Sequence, residues 1–297
     1  MSTSATPTLK EDLSTLIKLR LNTFVLITAF FGYLLGWKSS GATFSWEAVM
    51  ALIHTLFGTA CSAFGAAVFN QVMEVKSDAK MERTSNRPLP ARRILPHYAF
   101  ALGWGLCAIG VVHLGAMISF EAALLAFITI GTYVFIYTPM KRVSSVNTLI
   151  GAIPGAIPPM MGWVGAGHNL SSWAPWFLFA LLFLWQLPHF VAINWLCRQE
   201  YEDARYEMWS NGDTSGKRSA YLYIIFSVMM VLLPLPCPAL GLTGWVFPPI
   251  GMLLAVFLIL AAVKFLKTRE RIDMRKAFFA TLIYLPVVLS ALAFDWN

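Results

Sequence analysis

A chain of 297 residues in which 58% are hydrophobic and only 12% are charged has too little polar surface to cover a water-soluble globule, which excludes a soluble enzyme or a disordered tail. The net charge of +7 does not call for nucleic acid, because the Lys and Arg residues fall in alternate connections between apolar runs, as membrane topology requires. Four scattered cysteines, Cys61, Cys107, Cys197 and Cys237, show neither metal-ligand spacing nor a disulfide framework.

Nine apolar runs read as bilayer crossings, which need about 20 residues, and the first of them is short. They lie near residues 22–37, 46–69, 97–117, 120–138, 146–166, 173–196, 220–240, 244–264 and 277–294. Strand-like alternation is absent, and in lipid the backbone must satisfy itself, so the expected fold is an all-α bundle of nine transmembrane helices. Residues 1–20 read as an N-terminal tail and 21–297 as one transmembrane domain. Every basic residue except Lys38 lies in the tail or in the second, fourth, sixth and eighth connections, which places the N-terminus in the cytoplasm. Glu11 and Asp12 argue against a cleaved mitochondrial presequence, and no secretory cleavage site is evident, so the first span is expected to stay as an anchor.

The second span runs into NQVMEVKSDAKMERTSNRPLP, residues 70–90. Steps of four along an α-helix advance about 6 Å and drift about 40°, so Asn70, Glu74 and Asp78 share one face. A row of carboxyl and amide oxygens suits Mg²⁺, which takes one or two carboxylates plus substrate phosphates. Arg83 and Arg87 follow at once, and guanidinium groups match phosphate geometry. The stretch reads as a magnesium-diphosphate site ended by Pro88, although the same charges would suit an ordinary solvated helix end. The third and fourth spans carry little chemistry, and His113 and Glu121 read as interfacial.

The fourth span ends in YTPMKRVSSVN, residues 137–147. Tyr137 can hydrogen-bond at the interface. Lys141 and Arg142 either anchor the loop or point at the anion held by the first motif. The fifth span alternates Gly151, Gly155 and Gly162 with Pro154, Pro158 and Pro159, which bends and thins the helix. The sixth holds Gln186, His189 and Asn194 in an apolar run, then Arg198, Gln199, Glu200, Glu202 and Asp203. Polar groups at depth face a protein interior or a cavity, and two carboxylate clusters at one membrane face could hold Mg²⁺ ions between them. His189 reads either as a substrate contact or as a satisfied interior hydrogen bond. His54, His97 and His168 have no partner at a haem-ligating spacing. The last three spans read as completing the bundle.

Together with the first motif, YTPMKR, GAIPGAIPPMMGW and LWQLPHF resemble the UbiA-type membrane prenyltransferases, and among them those that farnesylate haem, over about residues 15–295. The resemblance implies nine helices around a central cavity, in a multi-pass protein of the bacterial plasma (inner) membrane. It implies transfer of a farnesyl group from farnesyl diphosphate to a vinyl group of haem B with addition of water, giving haem O for terminal oxidase assembly, with Mg²⁺ as cofactor and membrane lipid as surroundings. It leaves room for contact with haem A synthase or a terminal oxidase. By resemblance, Asn70, Glu74, Asp78 and Lys141 are catalytic, and Arg83, Arg87, Tyr137, Arg142, His189 and Arg198 bind substrate. Asn70, Glu74 and Asp78 hold metal together with Glu200 and Asp203. The sequence departs from the family at two points: Glu200 stands where Asp is usual, and Arg205 where Gly is frequent. The acidic motifs alone would equally suit a prenyltransferase acting on an aromatic quinone precursor. A transporter with broken helices is the remaining reading, against which stands the clustering of carboxylates at one face.

Overall fold

Thr8 opens the first helix, α1 (Leu9–Leu16), through a reciprocal capping box with Glu11. Its side chain accepts from the Glu11 N–H at 3.3 Å, and its own N–H donates to the Glu11 carboxylate at 2.7 Å, which satisfies two otherwise orphaned donors. The computed structural model describes residues 7–297. The first six residues of the expected 1–20 tail lie outside the described residues.

Lys18 takes the left-handed conformation (φ 49°) and separates α1 from α2 (Leu19–Ser39). Ser45 caps α3 (Trp46–Asp78) by accepting from the Ala48 N–H. A short α4 (Glu82–Ser85) precedes α5 (Pro96–Met117), whose first position is Pro96; proline is tolerated there because that N–H has no intrahelical partner. Ser119 caps α6 (Phe120–Gly131), which passes through a π-helical turn (Thr132–Tyr137) into α7 (Thr138–Met140). Then follow α8 (Asn147–Ala156), α9 (Pro158–Gly165), α10 (Trp173–Leu196), α11 (Arg198–Asp203), α12 (Lys217–Leu232), α13 (Phe247–Thr268) and α14 (Arg271–Asp295).

The result is an all-α bundle that mostly spans a membrane. Seven helical segments are long and apolar enough to cross: Leu19–Ser39, Trp46–Asp78, Pro96–Met117, Phe120–Met140, Trp173–Leu196, Phe247–Thr268 and Arg271–Asp295. The two other expected spans are built differently. The run at 146–166 is broken at Ile157 because Pro158 has no N–H to continue the ladder. The run at 220–240 is helical from Lys217 to Leu232 and then unwinds into turns through Pro234, Pro236 and Pro238.

Large apolar side chains such as Phe57, Trp104, Phe127, Phe135, Leu253 and Ile283 are exposed on the outside, as lipid-facing residues should be. Inside, small residues let backbones meet. A β-carbon at Gly32 would collide with the main chain of Pro159, and one at Gly162 with the main chain of Ala29, so α2 and α9 touch through their backbones. The helices α10, α12, α13 and α14 enclose the largest buried cluster, including Leu181, Tyr223, Phe247 and Phe265.

One boundary differs from expectation. The helix that carries Asn70, Glu74 and Asp78 ends at Asp78, ten residues before Pro88. The turn is closed locally, because the Met81 N–H and the Thr84 hydroxyl both donate to the Asp78 carbonyl, at 3.3 and 2.8 Å. Proline is therefore not what stops the helix.

Candidate functional site

At 33 residues, α3 is about 50 Å long, well over the roughly 30 Å of a hydrocarbon core. Its C-terminal turns thus carry carboxylates beyond the apolar layer while remaining packed by protein. Asn70, Glu74 and Asp78 do share one face, and each is at most 5% exposed.

Each of these residues meets a hydrogen-bond donor. The Lys18 ammonium donates to Asn70 Oδ1 and, at 3.3 Å, to the Tyr133 hydroxyl. Asn70 Nδ2 donates to Thr138 Oγ1 at 3.1 Å. Lys141 Nζ donates to Glu74 Oε1 at 2.7 Å and sits 4.6 Å above the Tyr137 ring. Arg87 Nη1 donates to Asp78 Oδ2 at 2.7 Å. Arg142 Nη2 reaches Ser77 Oγ at 2.8 Å. Across the gap, Arg83 Nε stands 4.0 Å from Glu200 Oε2.

Local structure aims these groups. The left-handed turn at Lys18 is held by α3 itself, since Gln71 Nε2 donates to the carbonyls of Thr15 and Leu16 at 2.7 and 2.9 Å. Just after the π-helical turn the Thr138 hydroxyl donates to the Tyr133 carbonyl at 2.8 Å, and Thr138 and Tyr133 meet Asn70 and its partner Lys18, while the Tyr137 ring lies against Gly151 of α8. The Lys141 carbonyl accepts from the Glu207 N–H at 2.7 Å, which ties this loop to the segment after α11.

Two carboxylate oxygens, Asp78 Oδ1 and Glu200 Oε2, are buried without a hydrogen-bond partner. Carboxylate oxygens without a hydrogen-bond partner are the ligand type that a hard divalent ion takes. No three His, Cys, Asp or Glu side chains converge on one point among the described residues, so such an ion needs phosphate oxygens from a substrate to complete its shell. Burial alone would pull Lys141 down, yet Glu74 beside it holds its pKa well above the ordinary lysine value of 10.5. Burial raises Tyr201 and pushes Tyr206 up to about 12, so the site is lined by a fixed ammonium and neutral phenols.

The residues of the expected second cluster have different partners. Arg198 to Asp203 form a separate six-residue helix after a break at Cys197. Glu200 faces Arg83, but Asp203 is exposed and accepts from Gln199 at 3.0 Å, and Glu202 accepts from the Gly212 N–H at 2.7 Å. Arg198 lies over Trp195, 4.7 Å from its ring. His189 stands 2.8 Å from Thr281 on α14 and packs on Phe278, so it is held as an interior hydrogen bond away from the carboxylates. Lys18, Ser77, Thr138 and Tyr206 belong to the site although the sequence reading left them out. Ser77 had a legible signal, three residues after Glu74. Lys18 and Tyr206 had none.

A sequence profile described as the UbiA prenyltransferase family matches residues 25–283. A protein named protoheme IX farnesyltransferase from Opitutus terrae is 37% identical over 298 residues, covering 99% of this chain and 98% of its own length. A mitochondrial protein of that name from Arabidopsis thaliana is 37% identical over 280 residues, covering 93% of this chain and 63% of its own. Among solved structures, a UbiA homolog from Aeropyrum pernix K1 superposes with a TM-score of 0.69 at 17% identity, covering 91% of this chain and 96% of its own. A UbiA homolog from Archaeoglobus fulgidus bound to DMAPP and Mg²⁺ gives 0.65 at 11% identity, covering 95% and 99%.

Proposed function

The chain belongs to the UbiA prenyltransferase family, and from that premise we propose that it transfers the farnesyl group of farnesyl diphosphate to a vinyl group of haem B, with addition of water, to give haem O. The observation that carries this reading is the likeness, over nearly the whole chain, to relatives named protoheme IX farnesyltransferase. The buried carboxylate-and-cation face of α3 supplies the matching chemistry. The protein works as a multi-pass component of the bacterial inner membrane. Its nine crossings would be the seven long helices, the broken pair α8–α9, and α12 with its following turns. The N-terminus would lie on the cytoplasmic side, and the substrates would meet in a central cavity.

Asp78, through its unpartnered oxygen, and Glu200, which faces Arg83, would hold Mg²⁺, with Asn70 and Glu74 lining the Asp78 face. Mg²⁺ bound there would neutralise charge on the diphosphate. Arg83, Arg87 and Lys141 would orient the diphosphate and stabilise the negative charge that builds as its bond to the farnesyl carbon breaks. The pair Lys18–Asn70 fixes the floor of that pocket. The farnesyl cation is then captured by the vinyl π-electrons, forming a carbon–carbon bond. Water adds to the carbon beside the porphyrin and loses a proton, leaving a hydroxyethylfarnesyl side chain. Tyr137 and the apolar walls hold bulk water back until that step.

The test is turnover by purified protein of haem B and farnesyl diphosphate with Mg²⁺, against an EDTA control, with product identified by mass. Haem O that disappears with EDTA and with Asp78→Ala is the expected result. Prenylation of 4-hydroxybenzoate with haem B untouched would assign the chain to the quinone-precursor enzymes instead.

A further inference from the structure

One helical turn beyond Glu74, the residues Lys76, Ser77, Lys80, Arg142, Ala204 and Arg205 line a cavity of about 200 Å³. Four of the six are cations. Arg83, Arg87 and Lys141 each face a carboxylate within 4.0 Å; among the described residues the four cations of this basin have no such partner. All four are exposed, so the basin opens to solvent and an anion that enters it meets several positive charges at once.

Arg205 adds a second observation. It has φ 60°, a left-handed conformation that a bulky residue adopts only when its surroundings hold it there. The hold is visible: the Arg205 N–H donates to the Glu202 carbonyl at 2.9 Å, and the next N–H, of Tyr206, to the Tyr201 carbonyl at 2.8 Å. Tyr206 is buried with Met81 and Met208. The turn places an arginine at the rim of a cavity where a glycine would meet the backbone demand without strain.

We propose that this basin binds the paired carboxylates of the acceptor, the propionate groups of a tetrapyrrole. The inference rests on the reading of haem B as acceptor. In haem B the propionates and the vinyl groups stand on opposite edges of the macrocycle. The basin lies nearer the end of α3 than Glu74 does. A macrocycle held there by its propionates keeps its vinyl edge directed into the bundle, towards the carboxylate face. The same cations would also suit a diphosphate, so the experiment separates the two.

Steady-state kinetics of the full-length protein in detergent would compare wild type with Lys80→Gln/Arg205→Gly, using haem B, its dimethyl ester and farnesyl diphosphate. The glycine removes the backbone strain, so lost affinity is not a folding defect. Wild type should prefer haem B over the ester by about tenfold in kcat/KM, the size of about one charged contact. In the variant the haem KM should rise about tenfold and the preference over the ester should vanish, with the KM for farnesyl diphosphate unchanged. A Soret titration of haem binding should shift in parallel. A rise confined to the KM for farnesyl diphosphate, or an unchanged haem KM, overturns the proposal while leaving the function standing. Wild-type protein that ignores haem B but prenylates another acceptor overturns both, and that arm alone reveals it.

Discussion

Lys141 and Glu74 meet at 2.7 Å with side chains only 13% and 7% exposed, so an ion pair is sealed at the junction of α7 and α3. Breaking a buried pair from one side leaves a desolvated charge and costs about 3–5 kcal/mol. Lys141→Met should therefore lower thermal stability in detergent and abolish turnover. The double variant Lys141→Met/Glu74→Leu should recover most of the stability and none of the activity. Recovery of activity in the double variant would show that the pair is structural.

Lys18 is tested by Lys18→Gln. The N-terminal segment stays fixed by Gln71 on the Thr15 and Leu16 carbonyls and by the Arg93–Asp12 pair at 2.8 Å, so folding should be unaffected. Loss of one charged hydrogen bond to Asn70 should reduce kcat/KM by about ten- to a hundredfold. An unchanged rate with farnesyl diphosphate at limiting concentration would remove Lys18 from the site.

The pH dependence follows from groups that stay in one state. Burial opposes the charge on Lys141, but Glu74 holds its pKa well above 10.5, and burial lifts Tyr206 to about 12 and raises Tyr201. Raised values keep the ammonium charged and the phenols neutral as pH climbs. The logarithm of kcat/KM should be flat from about pH 8 to about pH 10. A basic limb inside that window would mean that one of these groups titrates during catalysis.

Packing makes an independent prediction. Gly32→Ala drives a methyl group into the Pro159 main chain, whereas a β-carbon at Gly105 meets nothing within 4 Å. Gly32→Ala should cost about 1–3 kcal/mol through overpacking, read as a lower melting temperature. Gly105→Ala, on the same measurement, should be neutral or slightly stabilising.

Seven of the nine expected spans stand as single long helices among the described residues, legible because bilayer thickness sets a length that sequence hydropathy reports directly. Asn70, Glu74 and Asp78 were legible because a step of four keeps one helical face. Lys18 was not: in sequence it is one more tail cation, and its place beside Asn70 depends on a left-handed residue that no local pattern demands. For His189 the sequence leaves a substrate contact and an interior hydrogen bond both open, because Thr281, its partner, is 92 residues away in the chain. Glu200 and Asp203 stand three residues apart on the one short helix α11, yet Glu200 faces Arg83 and Asp203 accepts from Gln199, a difference set by partners that spacing does not report. Such losses arise wherever a residue's role is set by a turn or a distant partner and not by its own periodicity.

Near the end of α14, Asp295 accepts from the Val246 and Phe247 N–H groups at 3.0 and 2.8 Å, Trp296 Nε1 donates to Ser39 Oγ at 2.7 Å, and Lys38 Nζ donates to the Ala293 carbonyl at 3.1 Å. The Asp295 contacts hold α14 to the start of α13, and the Trp296–Ser39 and Lys38–Ala293 contacts clasp it to the far end of α2. During synthesis α2 enters the bilayer long before α14 exists, so it must wait, with Ser39 and Lys38 unpartnered by α14, until translation has released α14. Assembly intermediates on the ribosome are therefore open on this side, and the bundle can be closed there only after Trp296 has left the exit tunnel.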